Sequence, residues 1–171
     1  MFLILFGLPG TGKTYIGNIC KEEFGFCFYD ADEDLPRRMR EKILNAETIN
    51  DQLRDAFFNA ILIKIKKLKK NHPKLVLAQT FIKEKYRKLV LQNFKDAKFV
   101  LVKTETILRE KRLAQRLDFP IDKEYAAAMC LLFDQPEIKY FVVTNNTKGK
   151  MGVVKQLRTF LSEHSLQSKN Q

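Results

Sequence analysis

Apolar residues along this chain form short continuous runs, separated by longer stretches with helical periodicity. The runs of strand length are 2–6, 26–29, 75–78, 99–102 and 140–143. The helix-like stretches lie near 13–24, 51–70, 83–94, 105–117 and 151–163. Continuous apolar strands that alternate with helices are typical of a parallel sheet covered on both faces. The pattern therefore predicts an α/β fold, in which ligands bind beyond the carboxyl ends of the strands.

The length agrees with a simple organisation. A chain of 171 residues fits one domain. We place that domain at residues 1–165 and interpret residues 166–171 as a disordered tail.

The segment after the first strand carries the strongest chemical signal. Residues 7–14 read G-L-P-G-T-G-K-T and satisfy the phosphate-loop pattern G-x-x-x-x-G-K-[ST]. Its glycines let successive N–H groups point inward, Lys13 can reach the outer phosphates, and the Thr14 hydroxyl can ligate Mg²⁺. Because a strand precedes the loop and a helix follows it, we predict a nucleoside triphosphate site. The residues assigned to it are Gly7, Leu8, Pro9, Gly10, Thr11, Gly12, Lys13, Thr14 and Tyr15.

A cluster of acidic residues follows the second strand, in the segment 30–36. We assign Asp32 to orienting an acceptor hydroxyl, or to holding Mg²⁺ through water. Asp34 and Glu33 are interpreted instead as capping residues, because acids ahead of Pro36 are common at a helix start.

Basic residues later in the chain are candidates for binding the acceptor. Arg54 lies one turn into the second helix-like stretch, after the pair Asn50 and Asp51, which we interpret as its cap. Lys83 and Arg87 are four residues apart and so share one helix face, with Tyr86 beside them. This arrangement predicts a substrate clamp, and a solvated amphipathic face is the alternative.

Three arginines, Arg109, Arg112 and Arg116, are spaced at i, i+3 and i+7 and are predicted to share one helical face. In phosphoryl transfer, an arginine over the transferring group can raise the rate about 10³-fold or more. We assign Arg112 and Arg116, ahead of Arg109, to binding the nucleotide and neutralising charge. The following residues 117–120 are predicted to break the helix, as a mobile lid would.

Motifs of other nucleotide-binding classes are missing where those classes carry them. The segment 144–149 (T-N-N-T-K-G) does not supply the N/T-K-x-D motif of GTPases. Strands 75–78 and 99–102 are followed by Gln79 and Lys103, not by the acid that many ATPases use to position water. The acid comes after the second strand, which is the layout of small kinases that activate a hydroxyl.

Four segments resemble the gluconate kinase and shikimate kinase group of small P-loop kinases, most closely gluconate kinase. Residues 31–32 (A-D) match its G-D, residues 46–54 (A-E-T-I-N-D-Q-L-R) its G-E-P-L-x-D-x-D-R, residues 79–87 (Q-T-F-I-K-E-K-Y-R) its C-S-A-L-K-x-x-Y-R, and residues 112–116 (R-L-A-Q-R) its R-L-x-x-R. The resemblance implies a five-stranded parallel sheet of order 2-3-1-4-5 and MgATP as the donor. It also implies a substrate held by Asp32, Arg54, Lys83, Tyr86 and Arg87.

The chain departs from the gluconate kinase pattern at positions that would surround the acceptor. The family's His and Asn near Pro36 are Leu35 and Met39 here, and its later Gln-Phe is Met129-Cys130. The lid His-Phe falls on 119–120 (F-P), and L-E-E-P reads F-D-Q-P at 133–136. A site built to hydrogen-bond hydroxyls discriminates strongly, so these losses predict altered or abolished gluconate recognition.

The overall charge of +11 adds a possible preference for anionic partners. The densest basic block comprises Lys64, Lys66, Lys67, Lys69 and Lys70. A solvated helix end that complements the helix dipole and a nucleic-acid patch are both open interpretations. Three cysteines without metal-type spacing, and the lack of an apolar run of ~20 residues, predict a cytoplasmic protein that does not enter the membrane.

Together these observations predict an ATP-dependent kinase for a small hydroxylated acceptor, anionic or sugar-like, with ATP and Mg²⁺ as cofactors. The predicted catalytic residues are Lys13, Asp32, Arg112 and Arg116. The charge motivates one alternative, a polynucleotide 5′-hydroxyl kinase, and the altered acceptor positions motivate another, a nucleotide-binding regulator without transfer activity. The oligomeric state and the identity of the acceptor stay open.

Overall fold

The computed structural model describes residues 1–116, 121–147 and 149–167. Its strands are β1 (Phe2–Phe6), β2 (Cys27–Asp30), β3 (Leu75–Ala78), β4 (Ala97–Lys103) and β5 (Tyr140–Thr144). They form one parallel sheet in the order β2-β3-β1-β4-β5, which confirms the α/β class and the strand order predicted from sequence.

Helices connect the strands and cover both faces of the sheet. They are α1 (Lys13–Phe24), α2 (Arg37–Leu44), α3 (Asp51–Asn71), α4 (Glu84–Asn93), α5 (Thr106–Ala114), α6 (Lys123–Leu132) and α7 (Met151–Gln167), with a 3₁₀ helix at Ala31–Asp34. The hydrophobic pattern missed α2, α6 and the 3₁₀ helix. Helix α7 extends two residues into the predicted tail, and residues 168–171 lie outside the described residues.

The register of the sheet brings three strand ends to one level. Asp30 of β2 pairs with Ala78 of β3, and Ala78 pairs with Leu5 of β1. Since the strands are parallel, the segments that follow them begin side by side at the same edge. The phosphate loop, the acidic segment and Gln79 therefore meet at this edge.

The two faces of β1 build two cores. Phe2, Ile4 and Phe6 point into a cluster that also contains side chains of α3, α4 and α6. Leu3 and Leu5 point to the opposite side, against α1 and α7. All five strand residues are fully buried, which explains why this strand reads as a continuous apolar run.

Contacts along α3 bear on two predictions from the sequence, the cap at Asn50 and Asp51 and the role of the basic block. Asn50 caps the helix through its Oδ1, which accepts from the main-chain N–H of Leu53 at 3.0 Å, whereas Asp51 lies 3.7 Å from the ammonium of Lys85. In the basic block, Lys64 and Lys69 form ion pairs with Asp34 and Asp96. These contacts fit the helix-end interpretation of the block. None of the described helices combines the length and apolarity needed to cross a membrane.

Candidate active site

The phosphate loop connects β1 to α1 through backbone conformations that only glycine adopts readily. Gly10 and Gly12 have φ angles of 81° and 89°. A Cβ on Gly12 would lie 2.3 Å from Asn145 Nδ2, and one on Gly10 would lie 2.8 Å from the Leu113 side chain. The loop therefore requires glycine at both positions for steric as well as conformational reasons.

Lys13 folds back over this loop. Its Nζ donates to the carbonyl oxygens of Gly7 and Leu8 at 3.0 and 3.1 Å. Burial lowers its pKa to about 8, although the carboxylates of Asp32 and Asp30 oppose that shift. An anion in the loop would stabilise the protonated ammonium further, so the site favours a phosphate-bearing ligand.

Two carboxylates at the end of β2 face different partners. Asp30 Oδ2 accepts a 2.6 Å hydrogen bond from the Thr14 hydroxyl, and its Oδ1 accepts from the main-chain N–H of Asp32. Asp32 Oδ1 instead accepts from Gln79 Nε2 at 2.9 Å. The sequence analysis assigned Mg²⁺ to Thr14 and Asp32 and did not consider Asp30, although the D-x-D spacing at a strand end was a usable signal.

Asp32 lines a cavity that begins at the phosphate loop. Burial raises its pKa, and so does the nearby Asp30, whereas Lys13, Gln79 and Arg116 act in the opposite direction. A carboxylate with a raised pKa is a better proton acceptor than an exposed one. The geometry thus places a candidate base beside the candidate phosphate site.

The three arginines in and after α5 do not all share one helical face, which differs from the sequence prediction. Helix α5 ends at Ala114, so Arg116 follows the helix and does not share its face. Arg112 and Arg116 both line the cavity. Arg109 is buried, with Nη1 3.0 Å from Cys130 Sγ. The proposed lid residues 117–120 lie outside the described residues.

Two polar residues that the sequence analysis did not assign to the site hold the phosphate loop in place through its main chain. Asn145 Nδ2 and Thr104 Oγ1 both donate to the Thr11 carbonyl, at 2.9 and 3.0 Å. Arg112 Nη2 donates in turn to the Asn145 carbonyl at 3.0 Å. The segments after β4 and β5 therefore position the loop, a role that depends on strand order and leaves no local motif.

A cavity of about 340 Å³ extends from the phosphate loop into the body of the protein. Arg54, Lys83 and Tyr86 line it, as predicted for acceptor residues. Arg54 Nε donates to the Ile49 carbonyl at 3.2 Å, Lys83 Nζ lies 3.1 Å from Asp134 Oδ1, and the Tyr86 hydroxyl donates to Asp55 at 2.8 Å.

Arg87 does not belong to this wall, which corrects the predicted clamp. Helix α4 begins at Glu84, so Lys83 precedes the helix and Arg87 turns inward. Its guanidinium is fully buried, pairs with Glu84 Oε2 at 2.6 Å and donates to the carbonyl oxygens of Phe81, Ile82 and Asp134. Tyr15, assigned to the nucleotide, is 42% exposed on α1 and is not part of the cavity wall.

Comparison with known proteins decides the family. The sequence pattern of the family described as "Shikimate kinase" matches residues 9–125, which include residues 9–14 of the phosphate loop, Asp32 and the arginines that line the cavity. The chain belongs to the shikimate kinase family.

The chain is also similar to curated proteins that are named gluconokinases. The chain is 32% identical to a probable gluconokinase of Xenopus tropicalis over 94 residues, which are 53% of this chain. It is 25% identical to the thermoresistant gluconokinase of Escherichia coli (strain K12) over 113 residues, which are 66% of this chain. The matched regions span only 48% and 65% of the lengths of these two relatives.

The fold is shared over almost the whole chain. A gluconokinase structure from Sinorhizobium meliloti 1021 superposes with a TM-score of 0.77 at 17% identity, covering 97% of this chain and 96% of that one. At this identity the comparison supports the P-loop kinase fold and not a particular substrate.

Membership in the shikimate kinase family implies ATP and usually Mg²⁺, and the residues present fit both. The loop N–H groups, Lys13 and Arg112 provide donors and positive charge for a triphosphate. The Thr14 hydroxyl and the Asp30 carboxylate are oxygen donors of the kind that Mg²⁺ prefers.

Proposed function

We propose that this protein transfers the γ-phosphoryl group of ATP to a hydroxyl group of a small anionic acceptor. The observation that carries the proposal is that one cavity is lined by Lys13 and Asp32 at the phosphate-loop end and by Arg54 and Lys83 farther along its wall. A nucleotide and an acceptor would thus share one cavity, as in-line transfer requires.

The phosphate-loop end would bind the donor. The loop N–H groups and Lys13 would hold the phosphates, and Arg112 and Arg116 would neutralise negative charge as it moves during transfer. Thr14 and Asp30 would hold Mg²⁺, which when bound shields the phosphate charges.

Asp32 would act on the acceptor. Its carboxylate would accept the proton of the acceptor hydroxyl while that oxygen forms a bond to the γ-phosphorus. The bond between the γ-phosphorus and the β–γ bridging oxygen breaks, which releases ADP. Gln79 supports this role, since its hydrogen bond holds Asp32 Oδ1 in a fixed orientation.

The charged residues farther along the wall support an anionic acceptor. Arg54 lines the cavity with a permanently charged guanidinium, and Lys83 lines the same cavity. A carboxylate or phosphate on the acceptor would pair with these groups. This preference agrees with the sugar-acid substrates implied by the names of the curated relatives.

The test is ADP release in a coupled assay over a panel of sugar acids, sugars, hydroxy acids, nucleosides and oligonucleotides. We expect acceptor-dependent ADP release that Lys13→Ala and Asp32→Ala both abolish, while Asp32→Ala still binds MgATP in calorimetry. Glu33→Ala is the matched control, because Glu33 is an exposed acid next to Asp32 and should leave turnover unchanged.

Two outcomes would contradict the proposal. Binding of MgATP without ADP release for any acceptor would favour the nucleotide-binding regulator. Normal transfer by Asp32→Ala would remove Asp32 from the role of base.

A further inference from the structure

The part of the cavity beyond Asp32 is walled mainly by hydrocarbon. Its apolar lining includes Leu35, Met39, Ile43, Phe57, Phe81 and Met129. These side chains come from the segment before α2, from α2 and α3, from the segment after β3, and from α6. Apolar surface therefore surrounds the acceptor space on several sides.

The neutral polar groups in this wall are largely engaged by the protein. Gln79 bonds both to Asp32 and to the main-chain N–H of Thr80, and the Tyr86 hydroxyl bonds to Asp55. The Thr14 hydroxyl donates to Asp30, and the remaining hydroxyls in the lining belong to Thr80 and Tyr125. An acceptor with many hydroxyl groups would leave most of them without partners here.

The charged groups are arranged differently: apart from Lys83, which pairs with Asp134, they lie at two separate places in the wall. Lys13, Asp32 and Arg116 are close enough to affect one another's charge, at the phosphate-loop end. Arg54 lies on α3, with its Nε on the Ile49 carbonyl and its charge near Tyr125 of α6. The apolar side chains fill the wall around these two places.

From this arrangement we infer that the acceptor is a hydroxy acid with a hydrocarbon body, an inference that rests on the proposed kinase function. Its hydroxyl would meet Asp32 and its anionic group would meet Arg54. The carbon chain or ring in between would contact Leu35, Met39 and Met129. Hydroxyls on that body are disfavoured, because burying a hydroxyl without a hydrogen-bond partner is unfavourable.

A matched pair of acceptors tests the inference directly. 6-Hydroxyhexanoate and gluconate share a six-carbon chain, a carboxylate and a terminal hydroxyl, and they differ by the secondary hydroxyls of gluconate. We would measure binding of each to the MgADP-loaded protein by calorimetry, and kcat/KM for transfer from ATP. We expect 6-hydroxyhexanoate to be preferred in both measurements, by about 100-fold or more in kcat/KM.

The outcomes separate this inference from the proposed function. Equal or better binding and transfer with gluconate would overturn the hydrocarbon-body inference and leave the kinase function standing. Tight binding of 6-hydroxyhexanoate without transfer would support the inference about the pocket and contradict the kinase function. Binding of neither compound would overturn the inference.

Two substitutions on one helix locate the preference. Met129→Gln adds an amide to the wall at nearly constant volume, and we expect it to reduce the preference for 6-hydroxyhexanoate about tenfold. Leu131→Gln is the control, because Leu131 lies on the same helix α6 and is 90% exposed. An unchanged preference in folded Met129→Gln, with the same thermal melting as the control, would remove Met129 from the specificity wall.

Discussion

The Thr14 hydroxyl donates a 2.6 Å hydrogen bond to the carboxylate of Asp30. This contact joins the first turn of α1 to the end of β2, at the edge where the phosphate loop lies. Asp32, two residues later, bonds to Gln79 instead and lines the cavity. The two carboxylates are therefore suited to different roles, one near the metal and one near the acceptor.

Asp30→Asn should weaken the response to Mg²⁺ more than Asp32→Asn does. An amide in place of the carboxylate removes negative charge beside the Thr14 hydroxyl, and residues that support metal ligands typically contribute about 10–100-fold to metal affinity. Calorimetric titration of ATP binding at a series of Mg²⁺ concentrations measures the effect. A larger shift in Asp32→Asn would assign the metal to Asp32.

Asp32→Asn should stabilise the protein at neutral pH while it abolishes transfer. Burial raises the pKa of Asp32 above its ordinary value of 3.8, so the ionised carboxylate opposes folding at pH 7. The stability gain should shrink as the pH falls toward 3.8, because the wild-type carboxyl then takes up its proton. Thermal melting of both proteins across that pH range measures it. A lower melting temperature for Asp32→Asn at pH 7 would contradict the expectation.

Affinity for MgATP should decline as the pH rises above about 8, the pKa of Lys13 in the nucleotide-free protein. Bound phosphates favour the protonated ammonium, so binding in this range takes up a proton, and affinity falls by up to about tenfold per pH unit. Calorimetry in buffers of different ionisation enthalpy measures the uptake. Lys13→Arg is the control, because arginine stays protonated and should show no such uptake.

The features that could be predicted from the sequence are those that leave a signal in a short segment of the chain. The glycine-lysine motif sufficed for the phosphate loop and the continuous apolar runs for the parallel sheet, whereas the strand order came from the resemblance to small P-loop kinases. Gln79 and Asn145 were missed as site residues because their contacts arise only when distant strand ends meet.

Small errors at helix ends accounted for other differences. A residue beyond a helix end no longer follows the rotation of about 100° per residue, so an error of one or two residues at an end changes which side chains share a face. Arg116 falls beyond the end of α5, yet it still lines the cavity. Arg87 lies inside α4 but faces the interior, which charge spacing alone could not reveal.

Arg87→Met should destabilise the fold by about 3–5 kcal/mol, because it leaves the buried carboxylate of Glu84 without its ionic partner. Lys88→Met is the matched control. Lys88 also pairs with a glutamate, Glu137, but both side chains are more than half exposed to solvent, so its loss should change the stability far less. Urea unfolding of both variants measures the difference. If Arg87→Met has the stability of the wild type and a raised KM for the acceptor, Arg87 binds the acceptor, as the sequence analysis predicted, and does not serve mainly to stabilise the fold.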